Sequence, residues 1–126
     1  MTALLEHANV TVSNANRTAQ WMSELFGWHI RWQGPAIDGG RSLHIGTDSQ
    51  YLALYQPART VAAKSSTYHT AGGLNHIAIV VDDIDALEKQ VTAAGFTAVN
   101  HADYEPGRRF YFHDHDDIEY EVVQYD

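Results

Sequence analysis

Two stretches of the chain alternate apolar and polar residues in the same way. They are Glu6-His7-Ala8-Asn9-Val10-Thr11-Val12-Ser13-Asn14 and Asn75-His76-Ile77-Ala78-Ile79-Val80-Val81-Asp82-Asp83. Both are rich in β-branched residues, as strands are, and both close on Asp, Asn or Ser residues suited to capping a helix. His7 and His76 hold the same place in each, 76 − 7 = 69 residues apart. A helical period follows both times. Ala15, Thr18, Trp21, Met22, Leu25 and Phe26 recur at i, i+3 and i+4 until Gly27; Ile84, Leu87, Val91 and Ala94 do so until Gly95. Glycine just past each helix is what a left-handed C-terminal cap requires.

Three strand-like runs come after each helix. In the first copy they fall near His29–Gln33, Ser42–Gly46 and Gln50–Gln56; in the second, near Ala98–His101, Arg109–His113 and Ile118–Gln124. Turn residues separate them, Asp38-Gly39-Gly40 and Thr47-Asp48-Ser49 in one copy, Glu105-Pro106-Gly107 and Asp114-His115-Asp116-Asp117 in the other. The pattern predicts an α+β fold, two tandem βαβββ modules forming a curved, cleft-bearing mixed sheet. It reads as one domain over 1–126: module one 1–56, a polar linker or lid 57–73, and module two 74–126. Modules of this size bury too little surface to stand alone, so they are expected to pack on each other or on another chain.

Composition narrows the partners. The formal net charge is -8 with only 8 Lys and Arg, which argues against nucleic acid. There is no cysteine, hence no disulfide, no thiolate ligand and no Cys nucleophile. Neither a signal-peptide pattern nor a membrane-length apolar run is visible, and the expected location is cytoplasmic.

Strand alternation puts His7, Asn9, Thr11 and Ser13 on one face, with Ala8, Val10 and Val12 on the other. The more apolar face is expected beneath the helix, so each histidine falls on the concave side of its sheet. The last strand of module two adds Glu121, a carboxylate in apolar company that needs a partner. Two imidazoles and one carboxylate, His7, His76 and Glu121, suit Fe(II), Mn(II), Zn(II) or Ni(II) with positions left open, Fe(II) or Mn(II) being favoured. Gly27 and Gly95 lie 68 residues apart, and the same step back from Glu121 falls on Ala53. Module one therefore has no carboxylate where module two has one.

The strand-helix-Gly units and the closing Phe110-Tyr111-Phe112-His113-Asp114-His115-Asp116-Asp117-Ile118-Glu119-Tyr120-Glu121 resemble the vicinal oxygen chelate superfamily over nearly the whole chain. That group includes glyoxalase I, fosfomycin-resistance proteins, bleomycin-binding proteins and extradiol dioxygenases. The resemblance implies metal ligands at His7, His76 and Glu121. The three-ligand pattern is closer to the extradiol and fosfomycin-modifying members, since glyoxalase I adds a carboxylate where Ala53 stands. Asp114-His115-Asp116-Asp117 departs from the family's Asp-Pro-Asp-Gly turn, and the phosphonate-gripping Lys and Arg set has no clear counterpart. Tyr111 matches an active-site tyrosine of the extradiol enzymes. A homodimer is implied too, with His7 meeting His76 and Glu121 of its own or of the other subunit.

The expected function is thus a metal-dependent dioxygenase, lyase or isomerase acting on a small substrate with vicinal oxygens. The competing reading is a binding protein that sequesters an aromatic or peptide-like ligand. Arg109, Tyr111 and His113 share a strand face, and substrate contact there competes with cross-strand pairing to acids such as Glu119. His44 is a further candidate from module one. Tyr51 and Tyr55 read as core or rim, Tyr68 and His69 as exposed, and Asp82, Asp83 and Asp85 as a helix N-terminal cap.

Overall fold

A computed structural model describes residues 1–61 and 67–126. The chain divides into two compact units, Met1–Ala62 and Ala63–Asp126. Residues 62–66 of the expected linker lie outside the described residues.

Module one runs β1 (His7–Thr11), α1 (Ala15–Phe26), β2 (His29–Pro35), β3 (Arg41–Gly46) and β4 (Tyr51–Gln56). Module two repeats the order with β5 (Ile77–Val80), α2 (Ile84–Ala93), β6 (Val99–Tyr104), β7 (Gly107–His113) and β8 (Glu119–Tyr125). The fold is α+β, with one open four-stranded mixed sheet per module, ordered β1-β4-β3-β2 and β5-β8-β7-β6. In both sheets the first strand pairs in parallel with the last, and the other neighbours are antiparallel.

The helices start and stop for the reasons the residues suggest. Asn14 and Asp83 are the N-caps, their side chains accepting from Arg17 N–H and Ala86 N–H at 3.0 Å each. Gly27 ends α1 at φ 71°, its N–H donating to Ser23 O. α2 closes with Gly95 N–H to Thr92 O and Phe96 N–H to Val91 O, the paired bonds of a Schellman end with Gly95 at φ 96°. A second tie was not read from the sequence. Gln56 Oε1 accepts from Ala15 N–H and Gln124 Oε1 from Ile84 N–H, both at 2.8 Å, so the end of each last strand caps its own helix.

Each sheet buries the face that its helix covers. In module one Leu43, Ile45, Leu52 and Leu54 lie with Met22 and Leu25 of α1; in module two Phe110, Phe112, Tyr120 and Val122 are buried with Leu87 and Val91 of α2. Alternation then turns Tyr51, Ala53, His44 and their counterparts to the opposite face.

Candidate functional site

Register confirms the gap expected at Ala53. On module two Glu121 stands between Ala78 of β5 and Tyr111 of β7. On module one Ala53 stands between Asn9 of β1 and His44 of β3.

Glu121 is 8 % exposed and both of its oxygens are engaged. Oε2 accepts from Arg109 Nη1 at 3.0 Å, and Oε1 lies 3.2 Å from His76 Nε2. Arg109 also places its guanidinium 4.7 Å above the Tyr104 ring. The opposite nitrogen of His76, Nδ1, lies 3.4 Å from Glu119 Oε2. The Tyr68 hydroxyl donates to that same Oε2, and this bond pushes its pKa up to about 12. Glu119 Oε1 is 3.5 Å from His113 Nε2. Tyr111 meets the His76 ring edge-on, at 5.8 Å and 85°. Burial raises its pKa, with Glu121 adding to the shift, so its hydroxyl keeps its proton at neutral pH.

On module one the matching face is aromatic. His7 stacks on Tyr51 at 4.7 Å and 12°, and Tyr51 stacks on His44 at 4.6 Å and 27°. Arg31 lies 4.4 Å over the Tyr51 ring, and Trp32 packs 5.1 Å from His44. Burial, then the neighbouring His7 and Arg31, lower the pKa of His44 and favour its neutral form. His7 is half-exposed, and its Nδ1 lies 2.8 Å from Glu6 Oε1.

Of the residues expected at the site, His76, Glu121, Arg109, Tyr111 and His113 come together on module two, and His7 and His44 on module one. Among the described residues no three His, Asp or Glu side chains are grouped so as to hold a metal ion. The His76–Glu121 pair nevertheless has the spacing of two ligands. Metal bonds of about 2.0–2.2 Å, at angles from square to tetrahedral, put two donors roughly 3.0–3.5 Å apart. Their 3.2 Å separation falls inside that range.

The sequence profile of the glyoxalase/bleomycin resistance protein/dioxygenase superfamily matches residues 4–122. The chain belongs to this superfamily. No curated protein matches it in sequence. Solved superfamily structures share the fold. A glyoxalase/bleomycin resistance protein/dioxygenase domain from Frankia sp. EAN1pec superposes with a TM-score of 0.81 at 18% identity, over 100% of this chain and 93% of that one. The fosfomycin resistance protein FosX of Listeria monocytogenes, solved with Mn(II) and sulfate, gives 0.77 at 18% identity, over 100% and 95%. TnmS3, an antibiotic-binding protein of Streptomyces sp. CB03234, gives 0.75 at 18% identity, over 99% and 98%.

Within the superfamily fold, two site features escaped the sequence reading. Arg109 pairs with Glu121 and not with Glu119, although both acids share its face. Tyr68 is exposed, as expected, but its hydroxyl also reaches Glu119 from a single 3-10 turn at Thr67–His69. Asp114 at the departing turn is buried and accepts from Asp116 N–H, Ile118 N–H and the Tyr120 hydroxyl, so it serves the turn. No helix among the described residues is long and apolar enough to cross a membrane.

Proposed function

We propose that this superfamily member is a divalent-metal-dependent enzyme acting on a small substrate with vicinal oxygens, with His7, His76 and Glu121 as the protein ligands. The observation that carries this reading is the pairing of His76 Nε2 with Glu121 Oε1 at 3.2 Å. The same distance suits a direct imidazole–carboxylate contact, so what supports the cation is the spacing together with the donor types, a histidine nitrogen and a carboxylate oxygen. Two imidazoles and one carboxylate favour Fe(II) or Mn(II), with Zn(II) or Ni(II) also accommodated; Mn(II) is the ion in the Listeria FosX structure. A bound divalent ion would supply Lewis-acid stabilisation of negative charge on two adjacent substrate oxygens.

The chain's own residues do the rest. Arg109 holds Glu121 by Oε2 and fixes the direction of Oε1 toward His76, in place of substrate contact. Tyr111 offers a protonated hydroxyl beside His76 and donates to the substrate. His113 and His44, the latter neutral, line the substrate side of their own modules. His7 comes from module one of the same chain or of a second copy in a homodimer.

Protein purified without chelator should hold about one Fe or Mn per site by elemental analysis, and His76→Ala and Glu121→Ala should lose it. Fe(II)-loaded protein assayed in air against a panel of catechols then separates ring cleavage from other metal chemistry. Mixing His7→Ala with Glu121→Ala chains distinguishes a shared site, which regains metal and activity, from a site within one chain, which does not.

A second reading, ligand sequestration without turnover, is favoured by the His7–Tyr51–His44 stack on module one, a platform suited to a flat aromatic ligand. TnmS3 is a binding protein of the same fold. Protein without stoichiometric metal, whose ligand affinity is unchanged by His76→Ala, would favour this reading over the first.

A further inference from the structure

Both module histidines turn the same ring nitrogen toward a carboxylate, and the two carboxylates come from unrelated places. His7 Nδ1 lies 2.8 Å from Glu6 Oε1, on the preceding residue. His76 Nδ1 lies 3.4 Å from Glu119 Oε2, on the neighbouring strand β8. The duplication does not account for this. The counterpart of Glu6 in module two is Asn75, and β1 pairs His7 with Tyr51, the position that Glu119 fills in module two. Each module has thus reached one arrangement by a different residue. On module two the arrangement is braced, because the Tyr68 hydroxyl also donates to Glu119 Oε2 and stands 3.5 Å from His76 Nδ1.

Taking His7 and His76 as ligands, as proposed above, we infer that Glu6 and Glu119 are positioning residues that hold the two imidazoles by Nδ1–H and reserve Nε2 for the metal. A neutral imidazole carries one N–H, and a carboxylate that can only accept draws it to the near nitrogen. In His76 both nitrogens face a carboxylate, Nε2 at 3.2 Å from Glu121 Oε1 and Nδ1 at 3.4 Å from Glu119 Oε2, so a metal ion held at Nε2 and Glu121 would leave the proton on Nδ1 for Glu119 to accept. An acceptor in this position also makes the ring more basic and limits its rotation, and loss of such partners weakens metal binding roughly 10- to 100-fold. Glu119 is well placed for the larger effect, its side chain being 13% exposed; that of Glu6 is 62% exposed and its contribution is smaller. Tyr68 acts one step further out, by fixing the Glu119 carboxylate.

The test uses the full chain, with Mn(II) affinity by calorimetry and nitrogen-15 spectra of the Zn(II)-loaded protein. Wild type should show Nδ1–H resonances for both histidines, assigned by their loss in His7→Ala and His76→Ala. Glu119→Ala should remove or shift the His76 resonance alone and weaken Mn(II) binding about 10- to 100-fold. Glu119→Gln keeps an acceptor oxygen and should recover part of both. Glu6→Ala should alter the His7 resonance alone, and Tyr68→Phe should give a smaller loss than Glu119→Ala without the risk of misfolding. Zinc bonded through Nδ1, or Glu119→Ala and Tyr68→Phe both leaving affinity within about twofold of wild type, overturns the inference while the metal site stands. Wild type that binds neither ion overturns the metal reading and this one together.

Discussion

His7 and His76 occupy one position in two copies of one module, and the residues on the strands beside them have diverged. Beside His76 stand Glu119 and Glu121, with Arg109 pairing the second; at the matching register beside His7 stand Tyr51 and Ala53, with Ser42 in the place of Arg109. His76 has two strand carboxylates and Arg109 beside it; His7 has the adjacent Glu6 and a stack of rings on the neighbouring strands. The helix ends show no such split. A capping side chain (Asn14 or Asp83), a left-handed glycine end and a glutamine tie recur in both copies. The backbone of a duplicated module is held by the demands of its core and helix ends, and the open face of its sheet is free to diverge into chemistry.

The strongest way to break that contrast is to remove the charge from module two. Glu121→Ala should cost more than the roughly 10- to 100-fold in metal affinity that outer partners are worth. It should also destabilise the fold by about 3 kcal/mol, because Arg109 is left partly buried without its partner. Calorimetry with Mn(II) and a urea melt check the two effects. The reciprocal change, Ala53→Glu, places a carboxylate where Ser42 stands in the position of Arg109 and should lower stability. Adding Ser42→Arg should return part of the loss, with a coupling of about 0.5–3 kcal/mol in a double-mutant cycle.

A smaller contrast lies in the cores. Tyr120 of module two is fully buried with its hydroxyl on Asp114, while module one has Leu52 at the matching position. Burial raises the pKa of Asp114 against the pull of its backbone hydrogen bonds. Tyr120→Phe leaves that carboxyl short of one donor and should cost about 1–3 kcal/mol by urea melt. The glutamine ties sharpen the comparison from the other side. Gln56→Ala and Gln124→Ala should each cost about 1 kcal/mol, equal within error, since each removes one cap from one helix start.

The smallest effect is electrostatic and confined to module two. Arg108 grips Asp85 through two hydrogen bonds, and they lower the Asp85 pKa. A carboxyl depressed in the folded state stabilises it above the unfolded value of about 3.9, and that stabilisation is lost as pH falls through the lower folded value. Asp85→Asn should therefore flatten the acid limb of the melting temperature against pH, with little change near neutrality.

The duplication, the helix ends and the gap at Ala53 were legible because each is written in local sequence: a two-residue period, a capping side chain, a glycine, a fixed spacing. Asn14 and Asp83 differ by 69 while Gly27 and Gly95 differ by 68, and the helix of module two is the shorter. What escaped depends on the path of the backbone. Arg109 had two acids on its own face, and only the register between β7 and β8 with the reach of its side chain decides for Glu121. Tyr68 sits in a polar stretch that reads as exposed, and nothing local says that its turn brings the hydroxyl to Glu119. Gln56 ends its strand and Gln124 is next to the end of its own, and their helix partners lie some forty residues earlier in the chain.

The parallel pairing of each first strand with its own last strand has a consequence for how the protein is made. His7 and His76 each lie at the head of their module and leave the ribosome first, yet the strand that receives them, β4 or β8, is synthesised last. A contact that spans a whole module closes late, because the loop entropy must be met before the pairing is gained. Until then β1 or β5 is an unpaired edge, open to the wrong neighbour, including the other copy's last strand. The residues with which each module begins cannot take up their pairing until its last strand has been made.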